Sequence, residues 1–174
     1  MALSTAVKVR RDGTITLTSG DPVTLTIDYE DGNFSMDNLS SAGKADRVVI
    51  RDRGSIVGLR KGDDVVGSLG FSVHFREFTN ASNGTHNLLD FLNGQEPDGA
   101  GSYQSLVSTG SGGFEQFLCT VKIDIEGTDL GDGADGSATM LLCALTADFS
   151  EGDPDVLNVS GEVYGAISYT GTVS

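Results

Sequence analysis

The sequence predicts a mainly β fold, a sandwich or barrel of roughly seven to eight strands with one short helix and a long protruding hairpin or arm. Three observations predict it. Apolar and polar residues alternate with period two through most of the chain. Turn-forming Gly, Pro, Asn and Asp punctuate those runs. Helical spacing of apolar residues occurs once, around Leu88, Leu89 and Leu92.

The elements follow in order. Residues 14–18 alternate around Ile15 and Leu17, and residues 23–29 around Val23, Leu25, Ile27 and Tyr29. Ser19-Gly20-Asp21-Pro22 between them is turn chemistry, so the pair reads as a hairpin with one buried face. Asp31-Gly32 ends it, and 33–39 begins a third extended segment. Residues 67–78 alternate cleanly. Leu69, Phe71, Val73 and Phe75 lie on one face, with Ser68, Gly70, Ser72, His74 and Arg76 on the other. The helix is expected over 85–92, with N-cap chemistry at Asn83-Gly84-Thr85 and a C-cap at Asn93-Gly94.

Residues 96–113 form a Gly/Ser-rich loop. Residues 115–126 read as the clearest strand. Phe117, Cys119, Val121, Ile123 and Ile125 point inward, and Leu118, Thr120, Lys122, Asp124 and Glu126 point outward. Residues 127–136 make an acidic loop. Residues 137–149 read as a strand buried on both faces around 140–145. Gly152-Asp153-Pro154 marks a turn, and 156–169 closes the chain with Leu157, Val159, Val163 and Ile167 on one face. No repeat or linker divides the chain, so 1–174 reads as a single domain.

Residues 40–66 differ from the rest. Lys44, Arg47, Arg51, Arg53, Arg60 and Lys61 mix with Asp46, Asp52, Asp63 and Asp64, around the short apolar stretches 48–50 and 56–59. This composition suits a protruding hairpin or arm better than a core strand.

The charge is −14, from 25 acidic and 11 basic residues. Residues 1–76 carry ten of each sign; residues 77–174 carry Lys122 alone against fifteen acids. Such a chain repels phosphate backbones, which disfavours ordinary nucleic-acid binding. The longest purely apolar run, 140–145, is too short to span a bilayer, and residues 1–11 lack a secretory core. A soluble product without a membrane anchor is expected. Cys119 and Cys143 lie in apolar strands and read as buried thiols; a disulfide is possible if the strands are neighbours.

Catalytic signatures are absent from the sequence: it has no phosphate-binding Gly loop and no nucleophile elbow. His74 and His86 have no evident triad partners. The run Asp129-Leu130-Gly131-Asp132-Gly133-Ala134-Asp135-Gly136 looks like a calcium loop, yet its acids stand three apart and no Glu closes it. Asp124 and Glu126, about 7 Å apart on one strand face, form either a carboxylate pair or an exposed acidic strip. The Asn-x-Ser/Thr sequons, those at Asn38, Asn80, Asn83 and Asn158 among them, read as incidental.

Residues 51–64, from Arg51-Asp52-Arg53-Gly54 to Gly62-Asp63-Asp64, precede Gly67-Ser68-Leu69-Gly70-Phe71-Ser72-Val73. Together they resemble the tail tube proteins of tailed bacteriophages. The strand at 21–29 and the step Asp31-Gly32-Asn33-Phe34-Ser35 resemble that family too. The resemblance covers about residues 8–80. Loops 96–113 and 127–136 do not map onto the family.

The resemblance implies a tail-tube-like β domain with a flanking helix. Six copies would form a ring whose sheets join into one inner barrel. Rings would stack into a tube in the virion tail, assembled in the host cytoplasm beside other tail proteins. DNA would pass through an acidic lumen without specific binding. The family has no catalytic residues and no cofactor.

On this reading Lys44, Arg47, Arg51, Asp52, Arg53, Arg60, Lys61, Asp63 and Asp64 form the ring-stacking arm. Ser68, Ser72, Thr120, Asp124 and Glu126 face the lumen, where Lys122 and Arg76 are the basic groups, paired with acids. Six copies of a −14 chain carry −84, a repulsive sleeve for a phosphate polymer. The alternatives are a head–tail joining or capsid decoration protein, a calcium-binding β-sandwich module, and a hydrolase built on the carboxylate pair.

Overall fold

The structure is a computed structural model that describes residues 13–18, 24–28, 33–37, 45–75, 77–80, 84–92, 118–125 and 136–171. The fold is mainly β. In chain order its elements are β1 (Thr14–Thr18), β2 (Thr24–Asp28), β3 (Ser35–Met36), β4 (Ala45–Asp52), β5 (Ser55–Asp64), β6 (Gly67–His74), β7 (Glu77–Asn80), β8 (Gly84–Asn87), α1 (Leu88–Leu92), β9 (Cys119–Ile125), β10 (Gly136–Ser150), β11 (Val156–Val163) and β12 (Ile167–Gly171). The main sheet holds eight strands in the order β2-β1-β9-β10-β11-β6-β3, with β12 also on β10. The two hairpins, β4–β5 and β7–β8, bring the described strands to twelve.

Alternation in the sequence builds this sheet directly. Ile15 and Leu17 of β1, Val121 and Ile123 of β9, and Leu69, Phe71 and Val73 of β6 are all buried on one face. They meet Ile27, Cys119, Ala138, Met140, Cys143, Leu157, Val159 and Val163 in a single core. Each fully buried Ile, Leu or Val contributes about 1.5–3 kcal/mol. Leu88 joins this core, while Leu89 and Leu92 pack against it.

β10 is the spine. Its first part pairs with β9 on one side and β12 on the other; its second part pairs with β11. The registers shift at Leu141-Leu142, which oppose Thr120 alone between the Val121 and Cys119 pairings. Leu142 takes a left-handed φ of 54°, as a β-bulge permits. The bulge resets the alternation, so Met140 and Cys143 both face the core while Leu141 turns outward. The expectation that 140–145 is buried on both faces therefore fails.

The same irregularity divides the closing strand. Tyr164, Gly165 and Ala166 leave the ladder and bond Leu141 and Leu142 through Leu141 N to Ala166 O (3.0 Å), Tyr164 N to Leu142 O (3.1 Å) and Gly165 N to Leu141 O (2.9 Å). A continuous strand over 156–169 is thus replaced by β11 and β12. At the far end the expected turn forms: Gly152 N donates to the Asp155 carboxylate at 2.9 Å.

Other boundaries also move. The strand expected over 67–78 ends at His74, and Glu77–Asn80 pairs instead with Gly84–Asn87. Residues 84–87 are therefore strand, and the helix is five residues, Leu88–Leu92. In the sequence, the turn chemistry of Asn83-Gly84 suits a hairpin connection as well as a helix cap. Leu118, expected on the outward face, is buried. The third segment, expected over 33–39, forms a strand at Ser35–Met36 alone among the described residues.

Candidate assembly surfaces

Two surfaces carry the residues singled out in the sequence. The first is the polar face of the main sheet. Across it the registers align Thr16 with Lys122, Thr139 and Ser168, and Thr14 with Asp124 and Ser137. Further along, Ser68 stands opposite Glu162, and Ser72 opposite Asn158 and then Asp148. Ser68, Ser72, Thr120 and Asp124 all lie on this face. Glu126 and Arg76 lie outside the described residues.

Side chains on the face bond one another. Ser72 Oγ donates to Asn158 Oδ1 at 2.8 Å, and the Thr146 and Ser160 hydroxyls are 3.0 Å apart. Lys122 Nζ lies 2.7 Å from Asp124 Oδ1, so the one lysine of residues 77–174 is held by an acid on its own strand. The described face is consequently lined mostly by hydroxyls, with Asp148 and Glu162 toward the β11 side. Asp124 is the acid of an ion pair here, and its partner in the carboxylate-pair reading is outside the described residues.

The β6 edge of this sheet is closed by side chains. Ser68 N donates to Asp37 Oδ1 at 2.6 Å and Ser72 N to Asn33 Oδ1 at 3.1 Å. Asp37 N returns a bond to Ser68 O at 3.0 Å. Short β3 and these caps occupy backbone groups that would otherwise template another strand.

The second surface is the β4–β5 arm, a separate two-stranded sheet. Asp52 pairs with Ser55 across the turn residues Arg53 (φ 45°) and Gly54 (φ 88°). Both are left-handed, as a tight two-residue hairpin requires. Arg47, Arg51, Asp52, Arg53, Arg60, Lys61, Asp63 and Asp64 are all exposed on this arm; Lys44 precedes the described segment. Lys61 Nζ bonds Asp64 Oδ1 at 2.8 Å within the arm, an exposed pair contributing about 0–1 kcal/mol.

Charge reasoning missed the arm's other property. Ile56 and Val57 are each 61% exposed and Leu59 is 66% exposed. Val49, Ile50, Val65 and Val66 are exposed as well. The signal was present in the stretches 48–50 and 56–59, which alternate too weakly to give one buried face.

Cys119 and Cys143 are register partners on β9 and β10, both buried and not joined by a disulfide. Cys119 Sγ donates to the Cys143 carbonyl at 3.7 Å, and Cys143 Sγ to the Met140 carbonyl at 3.5 Å. Burial, reinforced by the neighbouring Cys143, pushes the Cys119 thiol far up. These thiols are structural and poorly nucleophilic.

Among the described residues no group of three His, Cys, Asp or Glu is placed to hold a metal ion, and no helix is long and apolar enough to cross a membrane. Loops 96–113 and 127–135 lie outside the described residues.

No family model and no curated protein matches the chain. Solved structures do. A cryo-EM structure of the anti-feeding prophage cap (AFP tube terminating cap) aligns over 99% of this chain and 95% of the other, with a TM-score of 0.52 at 13% identity. The PVC sheath-tube complex of an extracellular contractile injection system, in the extended state, aligns over 91% and 88%, with a TM-score of 0.46 at 15% identity. The anti-feeding prophage baseplate aligns over 97% of both chains, with a TM-score of 0.43 at 15% identity. The first is a likeness of fold along nearly the whole chain.

Proposed function

We propose that this chain is a structural, non-catalytic subunit of a phage-tail-like tube. Copies form rings, six to a ring, with the hydroxyl-rich sheet face turned to the bore, and the rings stack through the β4–β5 arm. The observation that carries this reading is the arm itself. A two-stranded ribbon with bare Ile56, Val57 and Leu59 is at most marginally stable alone, and an exposed apolar surface of this kind marks a contact with another chain.

The fold likeness to the tube terminating cap supports the tail-like setting. The sheet face supports the bore. Its lysine is neutralised by Asp124, and its hydroxyls offer a passing polyanion no net positive charge. DNA is the polymer this face would let pass, with other tail proteins at the tube ends.

The likeness to a cap favours one second reading, a subunit that ends a tube instead of extending it. Negative-stain imaging with sizing chromatography separates the two. Tubes or stacks of many rings support the tube subunit; single rings that bind only tube ends support the cap. A monodisperse monomer at all concentrations overturns both.

A further inference from the structure

The arm leaves the body at one end of β6, through Val65-Val66 into Gly67. The other end of β6 is about 23 Å away by strand rise. There Phe75 N donates to Asp155 O at 2.9 Å, tying β6 to the 151–155 turn. Phe75 and Phe149 meet edge to face with centroids 5.8 Å apart. They stay 40% and 55% exposed, an aromatic pair where the core face runs out to the surface.

The turn bonded to Phe75 is acidic. Glu151 and Asp153 are exposed there and Asp155 is half-buried, and no Lys or Arg occurs after Lys122. The arm's outer half has the opposite character. Arg51, Arg53 and Arg60 outnumber Asp52 there, among bare Val49, Ile50, Ile56, Val57 and Leu59, while Asp46, Asp63 and Asp64 stand at the base. Arg53 occupies a left-handed turn position that Asn or Gly fills at less cost. Backbone strain held in this way points to a use for the side chain.

We propose that the aromatic pair Phe75–Phe149, with the acidic 151–155 turn beside it, is the seat for the outer half of the arm of a second copy. This rests on the stacking role proposed above and names the arm's partner. Both surfaces are exposed in the single chain, so the arm does not cover its own seat. Apolar side chains meet aromatic rings, guanidinium groups lie over ring faces or beside carboxylates, and the base of the arm and the seat sit at opposite ends of β6. A contact between unlike ends is head-to-tail, and head-to-tail contacts propagate instead of closing a dimer.

Cross-linking tests it. An Arg53→Cys chain is mixed with a Glu151→Cys chain under oxidised glutathione, with wild-type protein, whose thiols are buried, as background. A Ser168→Cys chain replaces Glu151→Cys as the control. The seat predicts roughly tenfold more disulfide-linked dimer between Arg53→Cys and Glu151→Cys than with the control. Equal yields overturn the seat. Imaging of the wild-type protein is read alongside. Tubes without the specific cross-link leave the tube reading standing and remove the seat; the cross-link without tubes keeps the seat and removes the tube. Arg53→Asn, which keeps the turn, provides a second check. It slows association if the tip charge engages the acids, and an unchanged rate counts against the seat.

Discussion

A Cβ on Gly165 would be driven into the Leu141 carbonyl, at the point where β10 changes register against its partners. Backbone cannot swing aside as the end of a side chain can. Gly165→Ala is therefore expected to lower unfolding stability by about 1–3 kcal/mol, read from denaturant midpoints. Cys119 gives a second prediction. Its thiol is raised above the ordinary 9.0 by burial, so the unfolded chain releases this proton at lower pH than the folded one. Stability from this group is complete below about pH 9 and falls as pH rises past it, by at most about 1.4 kcal/mol per unit. Unfolding at pH 8 and pH 10 should show a larger alkaline loss for wild type than for Cys119→Val; equal losses would contradict the assignment. Residue-level alternation made Ile15, Leu17, Val121 and Ile123 legible as core. Leu141 was illegible because an unbroken apolar run, Met140-Leu141-Leu142, carries no mark of the bulge that turns it out.

At the scale of elements, strands with one wet face could be read and elements sharing turn chemistry could not. β1, β2, β6 and β9 appear in the alternation to within a few residues. β8 hid as a helix start because Asn83-Gly84-Thr85 suits either fate, and pairing with Glu77–Asn80 decides it. The long closing strand split because three residues oppose two across the bulge. The arm was visible as a charged excursion, and its exposed Ile56, Val57 and Leu59 add an apolar reason for a partner. Because the arm forms its own sheet, replacing residues 44–62 with a short Gly/Ser loop should leave the far-UV circular dichroism shape unchanged. Elongation into tubes should then be abolished. Long tubes from this variant would show that the arm does not stack rings, and a failure to fold would place it in the core.

Across the whole molecule the charge is lopsided, with −14 carried by residues 77–174. Beyond the Lys122–Asp124 pair the described sheet face carries Asp148 and Glu162, a small share of the fifteen acids of residues 77–174. The candidate bore was legible as polar alternation, but its hydroxyl character emerged from the registers that set β1, β9, β10 and β12 side by side. Duplex DNA should not bind the isolated protein measurably at physiological salt, because counterion release needs clustered basic contacts. A micromolar, salt-sensitive complex in a mobility or anisotropy assay would contradict this. The most direct test of the central proposal is a cryo-EM reconstruction of the assembled protein. Stacked rings with Ser68, Ser72, Thr120 and Asp124 facing the bore, and the β4–β5 arm spanning successive rings, are the predicted result. Assemblies with that sheet face on the outer wall, or with the arm free in solvent, would contradict it.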